Sequence, residues 1–167
     1  VTLLPWYQLA PGDYVMPTPG AYKLVFLDAA QQEIVGYTRS FTASGDLAFF
    51  NFATPYPAAT AKVQVRRGAD DAVLAEVTPA ATAPTLTLHS PAAIWGGPQP
   101  LTWNGGSRAR YFAVDISTDG GVTWVAQAFN LTDPAYTLQT TALPNTTQAM
   151  FRVAASDGLR TTTVVTG

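Results

Sequence analysis

Apolar and polar residues alternate along much of this chain with the period of two that marks a strand buried on one face. The alternation is clearest in Tyr111–Ser117 (YFAVDIS) and in residues 122–128 (VTWVAQA), which are separated by Thr118, Asp119, Gly120 and Gly121. Asp-Gly between two such runs predicts a tight hairpin turn, because the turns that follow strand twist need positive φ. Gly121 suits a left-handed bulge position handing the chain to the next strand. Nearer the start, residues 21–28 (AYKLVFLD) put Tyr22, Leu24 and Phe26 on one side and Lys23, Val25 and Leu27 on the other. Both sides are apolar enough to predict a central strand, with residues 33–42 returning as its partner. Residues 47–52 (LAFFNF) form a short aromatic strand ended by Pro55-Tyr56-Pro57. Residues 61–67 then point Val63 and Val65 inward, and after a turn at 68–71 residues 72–78 pair back. Strands at roughly ten-residue spacing are the rhythm of a β-sandwich.

A second cadence of the same kind begins at Thr85. Strands are predicted over 85–89, 92–95, 101–103, 111–117, 122–128, 136–139, 148–156 and 161–165, with a kink at Pro91 and turns at 143–145 and Asp157-Gly158. Between the cadences lies the proline-bracketed run 79–84 (PAATAP), of which residues 80–84 are the predicted linker, extended and fairly stiff. Residues 1–20 hold Pro5, Pro11, Pro17 and Pro19 without a clean period and read as an arm. Its Trp6 and Tyr7 are expected either to pack on the first domain or to stand exposed. The expected core of the first domain is Tyr22, Leu24, Phe26, Phe50, Phe52, Val63 and Val65; that of the second is Trp103, Phe112, Val114, Ile116, Phe151 and Val153.

Composition narrows the picture. The chain has 167 residues, of which 12% are charged, about half the usual share, and 13 Pro and 13 Gly are spread along its length. No long helix is available, and the polar surface must come from Thr, Ser, Gln and Asn. A net charge of −2 without a basic cluster argues against nucleic acid as a partner. No apolar run is long enough for a membrane-spanning helix. The absence of Cys excludes disulfides and thiolate chemistry. A chain that begins at Val1 and shows no signal peptide is expected to be a processed product or a piece of a longer protein.

The second half resembles the fibronectin type III-like domains found towards the C-termini of large bacterial secreted or surface proteins. The resemblance is carried by Leu101-Thr102-Trp103, by Tyr111–Ser117 running into STDGGVTW, by Leu143-Pro144, and by residues 151–158 (FRVAASDG). The first half looks like the Ig-like domain that often precedes it, through YKLVFLDA, FATPYPAATAKVQVRRG and VLAEVTPAATAPTLTLHSP. Some such proteins carry an upstream metallopeptidase. The resemblance implies an all-β fold of two consecutive Ig-like/fibronectin type III-like β-sandwiches. In that division 1–20 is the N-terminal arm, 21–79 (with part of the arm) the Ig-like sandwich, 80–84 the linker and 85–167 the fibronectin type III-like sandwich. In one respect the pattern departs: the tyrosine-corner position falls on Ala149, so the turn before the penultimate strand must be held otherwise, with Leu143 the candidate. The eight residues Ser117 to Trp124 also resemble the Asp-box hairpin of sialidases and other secreted proteins, where it is a folding element remote from catalysis.

Catalytic chemistry finds little purchase. His89 is the only histidine; a Ser-His-Asp system would also need a nucleophile elbow and an oxyanion hole, and no G-x-S-x-G is present. Zinc normally takes several His or Cys ligands, and no such set exists. Asp70, Asp71, Asp115, Asp119, Asp133 and Asp157 offer oxygen ligands, but no D-x-D-x-D-G loop appears, and Asp119 and Asp157 are accounted for by their turns. The expectation is a non-enzymatic protein with no catalytic residue, metal or cofactor. Ser117, Asp119, Gly120, Gly121, Thr123 and Trp124 are assigned to a structural hairpin. The remaining candidates are aromatic: Trp6, Trp95 and Trp124 could serve as a sugar-binding platform, the alternative to a spacer, stabiliser or protein-interaction role. The expected partners are upstream domains of a parent protein and a protein or glycan at the cell surface, with a secreted or cell-surface location.

Overall fold

The computed structural model describes residues 3, 5–7, 20–39, 42–44, 47–49, 54–89 and 96–166. Thirteen strands and no helix occur among them, so the chain is all-β. It divides into two compact units, one of Val1–Leu4 with Leu9–Pro79 and the other of Pro5–Gln8 with Ala80–Gly167.

The first unit is built on β1 (Tyr22–Leu27), which is flanked by β2 (Glu33–Arg39) and β5 (Lys62–Arg67), with β6 (Val73–Val77) beyond β5. All pairings are antiparallel. The central position foreseen for β1 follows from its two apolar faces: Leu24, Val25, Phe26 and Leu27 are all buried. Leu24 pairs with Val65 and Phe26 with Val63, which places four of the expected core residues on one face. Tyr37 and Tyr56 meet Phe26 edge-on, with ring centroids at 6.1 and 5.8 Å. Tyr22 is only half-buried. On the opposite face Lys23 crosses directly over Gly36, where any Cβ would collide with it, and reaches Glu33 at 2.8 Å. The aliphatic stem thereby covers the sheet while the charge stays outside. A separate hairpin joins β3 (Thr42–Ser44) to β4 (Leu47–Phe49). Phe50 and Phe52 lie outside the described residues.

The second unit is a β-sandwich. Three strands, β7 (Leu86–Leu88), β8 (Pro98–Gly105) and β11 (Ala135–Gln139), form one sheet in the order β11-β8-β7. Four strands, β9 (Tyr111–Ser117), β10 (Val125–Leu131), β12 (Met150–Ser156) and β13 (Thr161–Thr166), form the other in the order β10-β9-β12-β13. Between them lie Leu101, Trp103, Phe112, Val114, Ile116, Leu138, Phe151, Val153 and Ala155. Every core residue expected for this domain is among them; Leu101, Leu138 and Ala155 extend the set. Trp103 of β8 meets Phe112 of β9 across the sandwich, centroids 5.4 Å apart. Leu143 packs against the same core, as expected where a corner tyrosine is absent.

Two strands differ from expectation. β8 is longer than the predicted 101–103 and contains Pro98 and Pro100. The Thr102 carbonyl accepts from His89 N at 3.1 Å and so faces β7; by alternation the missing N–H groups of Pro98 and Pro100 face that side too, beyond the Leu86–Leu88 pairing. Proline is tolerated there because no ladder bond among the described residues is lost. β10 begins at Val125 rather than 122, because residues 118–124 form one hydrogen-bonded loop instead of a two-residue turn. Residues 92–95 lie outside the described residues.

The run expected to be a linker is held to the second unit. Arg160 donates to the Ala81 carbonyl at 2.7 Å, Thr162 Oγ1 to the Pro84 carbonyl at 2.6 Å, and Arg108 to the carbonyl and hydroxyl oxygens of Thr82. The arm departs from expectation in the same direction: Trp6 and Tyr7 dock on the second unit, not the first. Trp6 N donates to the Gly158 carbonyl at 3.1 Å.

Candidate functional site

β9 ends in a serine whose side chain points away from the core, since Phe112, Val114 and Ile116 take the inward positions. Ser117 is nonetheless buried, because the following loop folds over it. Its hydroxyl donates to Asp119 Oδ1 at 2.7 Å and accepts from the N–H groups of Asp119 (3.3 Å) and Gly121 (2.9 Å). The Asp119 carboxylate in turn accepts from Thr123 N at 2.9 Å and Thr123 Oγ1 at 2.6 Å. Gly120 and Gly121 have φ of 74° and 89°, the left-handed backbone that places these N–H groups inward. Gly120 N also donates to the Gln148 carbonyl at 3.1 Å, tying the loop to the segment before β12. Trp124 closes the loop by donating Nε1–H to the Gly121 carbonyl at 3.0 Å. Arg152 then lies over the Trp124 ring, 4.5 Å from its centroid, with its Nε on Asp115 at 2.7 Å.

The bonds from the Thr123 hydroxyl and N–H, followed by that from Ser117, hold the Asp119 carboxyl at about 2, below its ordinary 3.8. A carboxylate depressed in this way stabilises the fold fully above its unfolded-state value and loses that effect as pH falls through the folded one. Asp119→Asn is therefore expected to melt below the parent protein at pH 7. The gap should narrow as pH is lowered from about 4 towards 2. Melting curves across that range check it; a gap independent of pH would contradict the bonding just described.

Most of the other candidate groups are taken up locally. Asp70 pairs with Arg67 at 3.0 Å and Asp71 with Arg66 at 2.6 Å. Asp157 Oδ1 accepts from Leu159 N at 3.0 Å and Arg160 N at 2.8 Å, while its Oδ2 is buried without a partner. Asp133 is exposed in the loop between β10 and β11. No group of three or more His, Cys, Asp or Glu that could hold a metal occurs among the described residues. His89 contacts Thr102 Oγ1 through Nδ1 at 3.0 Å and Asn104 Nδ2 through Nε2 at 3.2 Å. Both ring nitrogens are thus engaged.

Trp6 and Trp124 do not share a surface. Trp124 belongs to the loop following β9, whereas Trp6 lies against the turn between β12 and β13, near the start of β9. A seven-residue strand separates them by roughly 20 Å. Trp95 lies outside the described residues. No family model matches the chain, and no curated protein matches it either.

A contact set that the sequence did not point to sits at the Trp6 end. The Trp6 carbonyl accepts from Ser156 Oγ at 2.9 Å and from Thr161 Oγ1 at 3.3 Å. The Tyr7 hydroxyl accepts from Asn130 N at 3.3 Å and has the Phe112 carbonyl and Asn130 Oδ1 each at 3.4 Å as acceptors. Burial is the main cause pushing the Tyr7 phenol above its usual range. One signal was present in the sequence: Ser156, like Ser117, is a polar residue closing a strand with strict inward alternation.

Proposed function

We propose that the chain is a non-catalytic pair of accessory β-sandwich domains from a secreted or cell-surface bacterial protein. It acts as spacer, stabiliser or protein-interaction module for a domain lying upstream, a peptidase in some of the proteins it resembles. The observation that carries this reading is the commitment of the candidate side chains. His89 is engaged by Thr102 and Asn104 of β8, and Asp70, Asp71, Asp115 and Asp119 are bonded to a loop or an arginine. Acyl transfer needs a nucleophile with a free base beside it, and glycoside hydrolysis needs two carboxyl groups facing one cleft. The three-on-four strand order of the second unit supports its assignment as fibronectin type III-like.

The purified chain should give no turnover with ester, peptide or glycoside substrates above the buffer rate. Hydrolysis abolished by a single substitution, at His89 or any of the aspartates, would sink the proposal.

A further inference from the structure

Two serines end neighbouring strands of the four-stranded sheet in equivalent ways. Ser117 closes β9 and Ser156 closes β12; both are buried with side chains directed away from the core. Each accepts from the N–H two residues on, Asp119 N for Ser117 and Gly158 N for Ser156. They differ in where the hydroxyl proton goes. Ser117 gives it to Asp119 within its own loop. In the turn after Ser156 the aspartate is used differently: Asp157 Oδ1 accepts from Leu159 N and Arg160 N, and the Ser156 proton goes to the Trp6 carbonyl. The Gly158 carbonyl likewise points out of its turn and accepts from Trp6 N.

This end of the sandwich therefore presents an acceptor and two hydroxyl donors spaced to take both polar groups of one extended residue. Asn130, at φ 57°, offers its N–H and side-chain oxygen to a phenol on the following residue. We infer that the β12–β13 end of the second unit is an acceptor site for an extended peptide whose second bound residue is a tyrosine, filled here by the chain's own Trp6-Tyr7. Recognition of the first residue runs through its backbone, and that of the second through its hydroxyl. Residues 5–7 are separated from every one of these partners by more than a hundred positions, so the arm is a ligand joined to its receptor by the intervening chain. The effective concentration of that tether keeps the site filled.

The test uses the full chain with Trp6→Pro and Tyr7→Gly, which removes the residue-6 N–H and the Tyr7 hydroxyl and so frees the site, and a synthetic peptide of residues 1–10 as probe. The peptide should bind and shift the amide resonances of Asn130, Gly158 and Thr161; the same peptide with Tyr7→Phe should bind about fivefold more weakly, the ratio expected for one ordinary hydrogen bond. No binding at millimolar peptide, or equal binding of the two peptides, overturns the inference. A second readout needs no variant. In the unmodified chain the Trp6 amide should exchange its proton far more slowly than in the free peptide, and exchange at the free-peptide rate overturns it as well.

Discussion

Replacing Trp103 by alanine is expected to lower the stability of the second unit by about 3–5 kcal/mol, the usual range for removing a large aromatic from a closed core. Small domains are commonly stable by only about 5–15 kcal/mol, so the variant should sit close to unfolding at room temperature. The indole is 1% exposed and lies between the two sheets against Phe112. Its Nε1 is buried without a hydrogen-bond partner among the described residues. That makes Trp103→Phe the informative comparison. Phenylalanine gives up part of the buried surface but also removes a donor whose stranding costs about 1–3 kcal/mol. The loss for Trp103→Phe should therefore be much the smaller of the two. Urea midpoints for the second unit, read at unchanged slope, separate these cases. Equal loss from both substitutions would show that the indole N–H is satisfied after all.

Gly120→Val and Gly121→Val should each lower the melting temperature of the second unit by several degrees. A side chain at φ near +80° costs about 1–2 kcal/mol, and in a domain of this size each kcal/mol moves the midpoint by about 4–8 °C. The two should not be equal. A Cβ at Gly120 would meet only the end of Gln148 at 4.0 Å, whereas at Gly121 it already lies 3.5 Å from Trp124 and 3.7 Å from Met150. Valine's further methyls add crowding at Gly121, so that variant should be the more damaged. Unchanged melting of both would mean that the loop does not hold its left-handed backbone in solution.

Periodicity disclosed most of the fold because an alternating strand reports its own buried face. Phe112, Val114 and Ile116 announced the core positions of β9 by spacing alone, and the two apolar faces of Tyr22–Leu27 announced a central strand. The hairpin was legible in kind but not in extent. Asp-Gly indicates a turn, yet the loop's length is set by Asp119 reaching four residues forward to Thr123, which a dipeptide signal does not encode. β8 runs beyond the expected 101–103 through Pro98 and Pro100; whether a proline breaks a strand depends on which side its missing N–H faces, and that is decided by the neighbouring strand. The docking of Trp6 and Tyr7 was hidden for a similar reason. Half of its partners are backbone groups, which have no sequence signature, and all belong to residues far along the chain.

The irregular pairing of β10 bears on how such domains survive beside copies of themselves. The strand lies at one side of its sheet with Phe129 71% and Val125 61% exposed, a composition that in a flat strand would invite sheet-to-sheet growth. Its register against β9 shifts twice, between Ala126 and Ala128 and again between Ala128 and Leu131, and Asn130 takes a left-handed backbone. A strand bent at two places cannot offer an even row of donors and acceptors to a stranger. At the far side of the same sheet β13 lies against β7. The protein can thus keep apolar side chains exposed on its rim without becoming a seed for fibres.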